Sequence, residues 1–167
     1  MSAAEAGSFL RRAGTGTLAD GTVVTWSVAE GARGRRWRWT LAANDVLRHV
    51  GLIELDAEGR FERLELETLT GMLTLHPDGD GRWAHGNVVR DGGVEPVAIA
   101  WSSADALGIE GDAFGSAVAG WQGRGWVLGT DLRLRRGDGA GDSVNASDLD
   151  ARGVPRLRNA GEFPLEA

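Results

Sequence analysis

Hydrophobic and polar residues alternate one by one in several short runs of the chain. In GTVVTWSV, residues 21–28, one face of the alternation carries Thr22, Val24, Trp26 and Val28. In RRWRWTL, residues 35–41, Trp37, Trp39 and Leu41 share one face, and the other face carries Arg36, Arg38 and Thr40. A strand places successive side chains on opposite faces, whereas a helix brings together residues three and four apart. Both runs are therefore predicted to be β-strands with one buried and one solvent-exposed face.

Turn sequences separate the alternating runs. DAEG at residues 56–59 and DGDG at residues 78–81 predict two hairpins, because glycine and aspartate tolerate the backbone conformations that tight turns require. VEPVAIAW, residues 94–101, predicts a further strand. Residues 102–125 are predicted to be irregular, with a short helical turn near residues 112–119. GWVLGTDLRLRR, residues 125–136, is predicted as one strand whose inward side carries Trp126, Leu128, Thr130, Leu132 and Leu134.

The pattern as a whole predicts a mainly β fold. We expect an antiparallel sheet curled into a roll or open barrel, with at most one or two short helices. The length of 167 residues fits one domain over residues 1–167. Within it we expect a flexible N-terminus at residues 1–14 and a loop at residues 137–147.

Composition excludes some classes of function. The chain has no cysteine, so it has neither a disulfide framework nor a thiolate metal site. Its formal net charge of −6 argues against nucleic-acid binding, since nucleic-acid-binding domains are usually basic. All 18 basic residues are arginine, and together with 26 glycines this favours the codon bias of a GC-rich bacterial genome over selection for phosphate binding.

The sequence also bears on location. The first ten residues, MSAAEAGSFL, lack the basic start and long apolar run of a signal peptide. No apolar run approaches the roughly 18 residues that indicate a membrane-spanning helix. We therefore expect a cytoplasmic protein without an integral membrane span.

The second hairpin concentrates the side chains with possible chemistry. A turn centred on Gly79–Asp80 would set Thr74 opposite His85 and His76 opposite Trp83. Side chains that share a face repeat every second residue, so this register predicts one face made of Met72, Thr74, His76, Trp83, His85 and Asn87. Such a face suits recognition of a neutral polyhydroxy head group. The alternative is a half-exposed hairpin tip whose histidines bond to the turn.

Catalytic and metal sites receive less support. Two histidines placed diagonally across a hairpin can share an ion, but a stable site needs a third or fourth ligand. Asp78 and Asp80 are explained as turn formers. The chain shows no nucleophile elbow and no phosphate-binding glycine loop. We therefore assign no catalytic residue, no metal and no cofactor from the sequence.

Two stretches resemble a known family. LIELDAEGRFERLELETLTGMLTLHPDGDGRW, residues 52–83, is similar to the central hairpins of a glycolipid-binding family, with its aliphatic strand, acidic turn and DGDGRW motif. The tail LDARGVPRLRNAGEFPLEA, residues 149–167, resembles the closing segment of that family at Phe163, Pro164 and Leu165. The resemblance implies a spiral β-roll, a predominantly β fold with no established enzymatic activity.

The favoured hypothesis is a non-enzymatic binding protein for an apolar or amphipathic small molecule, lipid-like or glycolipid-like. The ligand is expected to lie against a tryptophan-lined concave face, although the tryptophans are also compatible with a packed core. The proposed binding residues are Trp37, Trp39, His76, Trp83, His85, Asn87 and Trp101.

Two alternatives remain open at this point. One is a hydrolase or isomerase that uses His76 and His85 with a carboxylate such as Asp78 or Glu110. The other is an interaction module whose Arg35–Arg38 face docks an acidic partner or the second copy of a homodimer.

Overall fold

Eight consecutive strands pair in chain order in one antiparallel sheet. The computed structural model describes residues 10–18, 21–121 and 123–138. The eight strands are β1 (Leu10–Thr17), β2 (Val23–Gly31), β3 (Gly34–Ala43), β4 (Val46–Leu55), β5 (Phe61–Thr68), β6 (Gly71–Pro77), β7 (Trp83–Arg90) and β8 (Gly93–Ala100). The sheet is open and not a closed barrel, because β1 and β8 lie at the two ends of the strand order.

Tight turns explain why each strand pairs with the next. Asn44 and Asp45, which join β3 to β4, have φ angles of 52° and 60°, in the left-handed region that asparagine and aspartate tolerate. Gly59 takes a φ of 80° in the predicted DAEG turn. The residues in these turns therefore favour a meander, in which each strand pairs with the next one along the chain.

A second, smaller layer follows the meander. It consists of β9 (Ala106–Ile109), helix α1 (Ala113–Val118), β10 (Arg124–Leu128) and β11 (Leu134–Asp138). β10 pairs with β9 in parallel and with β11 antiparallel, and α1 lies in the connection that a parallel pair requires. The predicted helical turn is confirmed at α1. β9, with four residues, was not predicted.

The prediction of one strand over residues 125–136 is wrong. Two strands occupy this segment, and the turn between them begins where the Gly129 N–H donates to the Arg133 carbonyl at 2.9 Å. The Asp131 side chain accepts from the Arg133 N–H at 3.1 Å. Leu132 takes a φ of 59°, yet it is buried. The Gly–Thr–Asp sequence was a turn signal inside an apparently continuous alternation.

The predicted alternation corresponds to one buried and one exposed face of the large sheet. Its inner face carries the buried residues Val24, Trp26, Val28, Trp37, Trp39, Leu41, Ile53, Leu64, Leu66, Leu73, Leu75, Ala84, Val88 and Ile99. The second layer covers this face. Strands make up 65% and helix only 5% of the described residues, so the predicted mainly β, antiparallel fold is confirmed.

The predicted flexible N-terminus and the predicted loop at residues 137–147 fall only partly within the described residues. β1 begins at Leu10, inside the predicted N-terminal segment 1–14, and β11 ends at Asp138, inside the predicted loop 137–147. The other residues of both segments, and the tail motif at residues 149–167, lie outside the described part of the chain. No helix among the described residues is long and apolar enough to cross a membrane.

Two glycines make room for the Trp39 ring. A Cβ atom on Gly51 of β4 would lie 2.2 Å from the Trp39 indole, and one on Gly115 of α1 would lie 2.7 Å from it. The Phe114 ring lies 6.1 Å from that of Trp39, centroid to centroid. Trp39 is therefore held between the sheet and the helix, at positions where any side chain larger than hydrogen would displace it.

We expect Gly51→Ala to lower the free energy of unfolding by about 1–3 kcal/mol, the usual cost of overpacking a core. Gly93→Ala is the matched control, because a Cβ on this strand glycine would meet nothing within 4 Å. Urea unfolding followed by tryptophan fluorescence measures both variants. Equal stability of the two variants would contradict the packing described for Trp39.

Candidate functional site

The histidine hairpin has the predicted faces but a different register. His76 pairs directly with His85, and Thr74 pairs with Asn87. The turn closes one residue later than predicted, because the Asp78 N–H donates to the Trp83 carbonyl at 2.9 Å. Each pairing is thus displaced by two residues from the prediction. A displacement of two keeps every side chain on its predicted face, since side chains alternate with a period of two.

The histidine face lies on the outer side of the large sheet. His76, His85 and Asn87 are exposed, and 47% of Trp83 is exposed. His85 Nε2 lies 3.1 Å from Asp78 Oδ2, so His85 does bond to the turn, as the alternative interpretation held. Glu110 takes no part, since its carboxylate accepts from the Thr130 N–H at 3.4 Å in the second layer.

The predicted tryptophans lie on the opposite, inner side. The exposed fractions of Trp37, Trp39 and Trp101 are 1%, 2% and 8%. The Phe114 ring lies 6.1 Å from the Trp37 ring and covers this part of the inner face. The structure therefore does not bring the seven predicted binding residues together, because the sheet separates the outer four from the inner three.

His76 and Trp101 both line an open space where the sheet splits. The β5–β6 ladder ends at the pair Leu64–Leu75, although β5 begins at Phe61 and β6 continues to Pro77. Beyond the last pair, each strand stays bonded to its other neighbour, β4 or β7. The two strands diverge and leave an open space of about 1490 Å³, here called the split cleft.

The split cleft has an aromatic base and a charged rim. The Phe61 and Trp101 rings lie 5.2 Å apart at an angle of 44°. Around them lie the two turns that begin at Asp56 and Asp78, the loop at residues 103–105, Ala106 at the start of β9, and Arg124. The rim carries both signs of charge on Glu54, Asp56, Arg60, Glu62, Arg63, Asp78, Asp80, Asp105 and Arg124. Such a mixture offers many hydrogen-bond donors and acceptors, and its six carboxylates outnumber its three arginines.

Local bonds hold several rim groups in place. Asp56 Oδ1 accepts from the Arg60 N–H at 2.8 Å, and Asp56 Oδ2 accepts from Arg60 Nε at 2.6 Å. Desolvation acts to raise the pKa of Asp56, but these hydrogen bonds and the Arg60 charge outweigh it, and the pKa is lowered from 3.8. Asp105 accepts from the Ser102 N–H and from Arg136 Nη1, each at 3.0 Å. The rim is therefore preorganised.

Sequence reasoning missed a buried polar network. Asp112 Oδ2 accepts from the Trp39 indole at 2.7 Å and lies 3.4 Å from His49 Nδ1, while Oδ1 accepts from the Gly115 N–H at 2.7 Å. The regular β3–β4 register sets His49 opposite Leu41 on the inner face, at the last pair before the register shifts between Leu41 and Ala42. The N-terminal cap of α1 could have been predicted from the sequence, because Asp112 directly precedes the helix. The contact with Trp39 joins residues 73 positions apart and carries no local signal.

The arginine run has mostly intramolecular partners. Arg36, on the outer face, pairs with Glu54. Arg35 points to the other side, where its Nε lies 3.0 Å from Glu30 Oε2. The residues Arg35–Arg38 therefore do not form one free cationic face. Among the described residues, no three His, Asp or Glu side chains are grouped to hold a metal ion.

Comparisons with family models, with curated proteins and with solved structures find no match to this chain. The resemblance to a glycolipid-binding family therefore stays a prediction. What can be inferred about function rests on the geometry of the described residues.

We expect Trp39→Phe to lower the free energy of unfolding by about 1–3 kcal/mol more than Trp37→Phe. Both substitutions replace an indole with a phenyl ring on the same face of the sheet. Trp39→Phe also removes the indole N–H that donates to the buried Asp112 carboxylate. Urea unfolding measures the difference. A result in which the two variants are equally stable would show that the bond to Asp112 contributes nothing net.

We expect the Asp56→Asn variant to have a lower free energy of unfolding than the wild type at neutral pH. This difference in stability should disappear at acidic pH. The folded pKa of Asp56 is lowered, so its charge contributes stability above the unfolded value of 3.8. That contribution is lost as the pH falls through the folded pKa. Chemical unfolding from pH 7 to pH 2.5 tests this, and a gap that stays constant over this range would contradict it.

Proposed function

We propose that this chain is a non-enzymatic binding protein for a small amphipathic molecule, lipid-like or glycolipid-like, held in the split cleft. One observation carries the proposal: an aromatic pair lies at the base of an open space whose rim is crowded with hydrogen-bonding groups. Binding sites for small molecules typically combine an apolar base with a few oriented polar groups. The volume of about 1490 Å³ exceeds that of many such sites and leaves room for a head group with part of its chain.

The base of the cleft supports an apolar or stacking contact. Phe61 is half-buried and packs against the core, and Trp101 beside it is 8% exposed. Apolar surface from Ala104 and Ala106 continues this base along the neighbouring loop. Aromatic faces and small apolar side chains favour an acyl chain or the apolar face of a sugar ring, because both remove apolar surface from water.

The rim supports a neutral, polar head group. Arg60 is bonded to Asp56 and Glu58, and Arg63 is bonded to Glu65. Two of the three rim arginines are thus already neutralised within the chain. Six carboxylates surround the same space, and they would repel a phosphate or a carboxylate. Hydroxyl groups both donate and accept, so a polyhydroxy head group matches this mixture.

The proposal assigns different roles to the predicted tryptophans. A ligand would reach Trp37 and Trp39 only by displacing α1, so these two are given a packing role. Trp101 and His76 keep a proposed binding role, because both line the split cleft. Trp83, His85 and Asn87 are outside its lining and are not needed for this ligand.

The test is a titration of tryptophan fluorescence with octyl glucoside below its micellar concentration. We expect saturable binding that is at least about tenfold tighter than binding of glucose or octanoate, a difference of roughly 1.4 kcal/mol. The octyl chain of octyl glucoside supplies apolar area that glucose lacks. Octanoate carries a negative charge, which the acidic rim repels. Absence of saturable binding to all three probes would overturn the proposal.

Three variants locate the ligand. Phe61→Leu keeps an apolar residue but removes the ring, and it should weaken octyl glucoside binding in calorimetry. Trp101→Phe should remove most of the fluorescence change while binding persists in calorimetry. Trp83→Phe is the control, because this exposed ring is not part of the cleft lining. If Trp83→Phe removed the signal and Trp101→Phe did not, the ligand would bind outside the split cleft.

A further inference from the structure

The outer face of the β6–β7 hairpin brings two imidazoles side by side. His76 and His85 are direct cross-strand partners, whereas the sequence had suggested a diagonal placement. Facing residues of antiparallel strands have Cβ atoms roughly 4.5–5.5 Å apart. Both histidines are exposed, so the two rings share the same side of the sheet and the same solvent.

Asp78 determines which nitrogen of His85 is free. An ionised carboxylate only accepts hydrogen bonds, so in the 3.1 Å contact His85 Nε2 donates to Asp78 Oδ2. The proton on Nε2 leaves the lone pair on Nδ1. Asp78 is itself fixed, because its Oδ1 accepts from the Trp83 N–H at 3.1 Å. Around a metal-bound histidine, a carboxylate usually accepts a hydrogen bond from one ring nitrogen while the other nitrogen binds the ion.

His76 is available as the second ligand. Within the described residues its ring has no hydrogen bond or ion pair. Imidazole is a preferred ligand for zinc, copper and nickel, and two imidazoles on one ion leave the remaining positions to water.

From this arrangement we propose that His76 and His85 form a binding site for a divalent transition-metal ion, with Asp78 as the positioning residue that orients His85. The site is open to solvent on the outer face. Its His76 and Asp78 also line the split cleft, so zinc is titrated in the absence of the ligand proposed there. Because only two protein ligands are involved, the ion exchanges with solution and is not an integral part of the fold.

The experiment is calorimetric titration of the tag-free full chain with zinc chloride. We expect one zinc ion per chain. His76→Ala and His85→Ala should each lower the affinity at least about tenfold, because each leaves a single imidazole. Asn87→Ala is the matched control, since it changes the next outward-facing position of β7 and should leave zinc affinity unchanged. Unchanged affinity in both histidine variants would overturn the proposal.

The positioning role of Asp78 has its own readout. Asp78→Asn keeps an acceptor for the Trp83 N–H but loses the carboxylate, and the affinity for zinc should fall by about 10–100-fold. Nitrogen NMR of the imidazoles should show His85 protonated at Nε2 in the wild type and a mixture of tautomers in the variant. If the tautomer and the zinc affinity were both unchanged in Asp78→Asn, the role assigned to Asp78 would be wrong.

Discussion

The hydrogen bond from the Trp39 indole to the buried Asp112 carboxylate joins the two layers of this protein. Asp112 also caps α1 through the Gly115 N–H, so the same carboxylate starts the helix and anchors it to the sheet. A buried carboxylate is costly unless donors surround it. The bond therefore stabilises the one arrangement in which Trp39, Gly51 and Gly115 fit together.

This anchor determines where a ligand can bind. With α1 over Trp37 and Trp39, the middle of the inner face is packed with protein side chains. Space remains at the end of the sheet, where the β5–β6 ladder stops at Leu64–Leu75. The aromatic residues divide accordingly. Those beneath the helix pack the core, and the pair Phe61–Trp101 lies at the open end.

The histidine hairpin shows how a partly wrong register still places residues correctly. The turn was predicted one residue too early, which displaced every pair by two positions. The face on which a side chain lies depends only on whether the register is displaced by an odd or an even number of residues. His76, His85 and Asn87 were therefore placed on the correct face of the sheet. The exact partner matters for chemistry, however. His85 faces His76 and reaches Asp78, and this arrangement supports a proposal that a diagonal pair did not.

The sequence by itself determined the features that depend on near neighbours: strand alternation, most hairpin turns, the short helix and the side of the large sheet on which Trp26, Trp37, Trp39 and Trp83 lie. These follow from steric preferences of a few consecutive residues and from a side-chain period of two. Only the tertiary structure decided the parallel pairing of β9 with β10, the split between β5 and β6, and the bond from Trp39 to Asp112. Each depends on segments far apart in the chain, and their fit is settled by packing of the whole core, which no local pattern encodes.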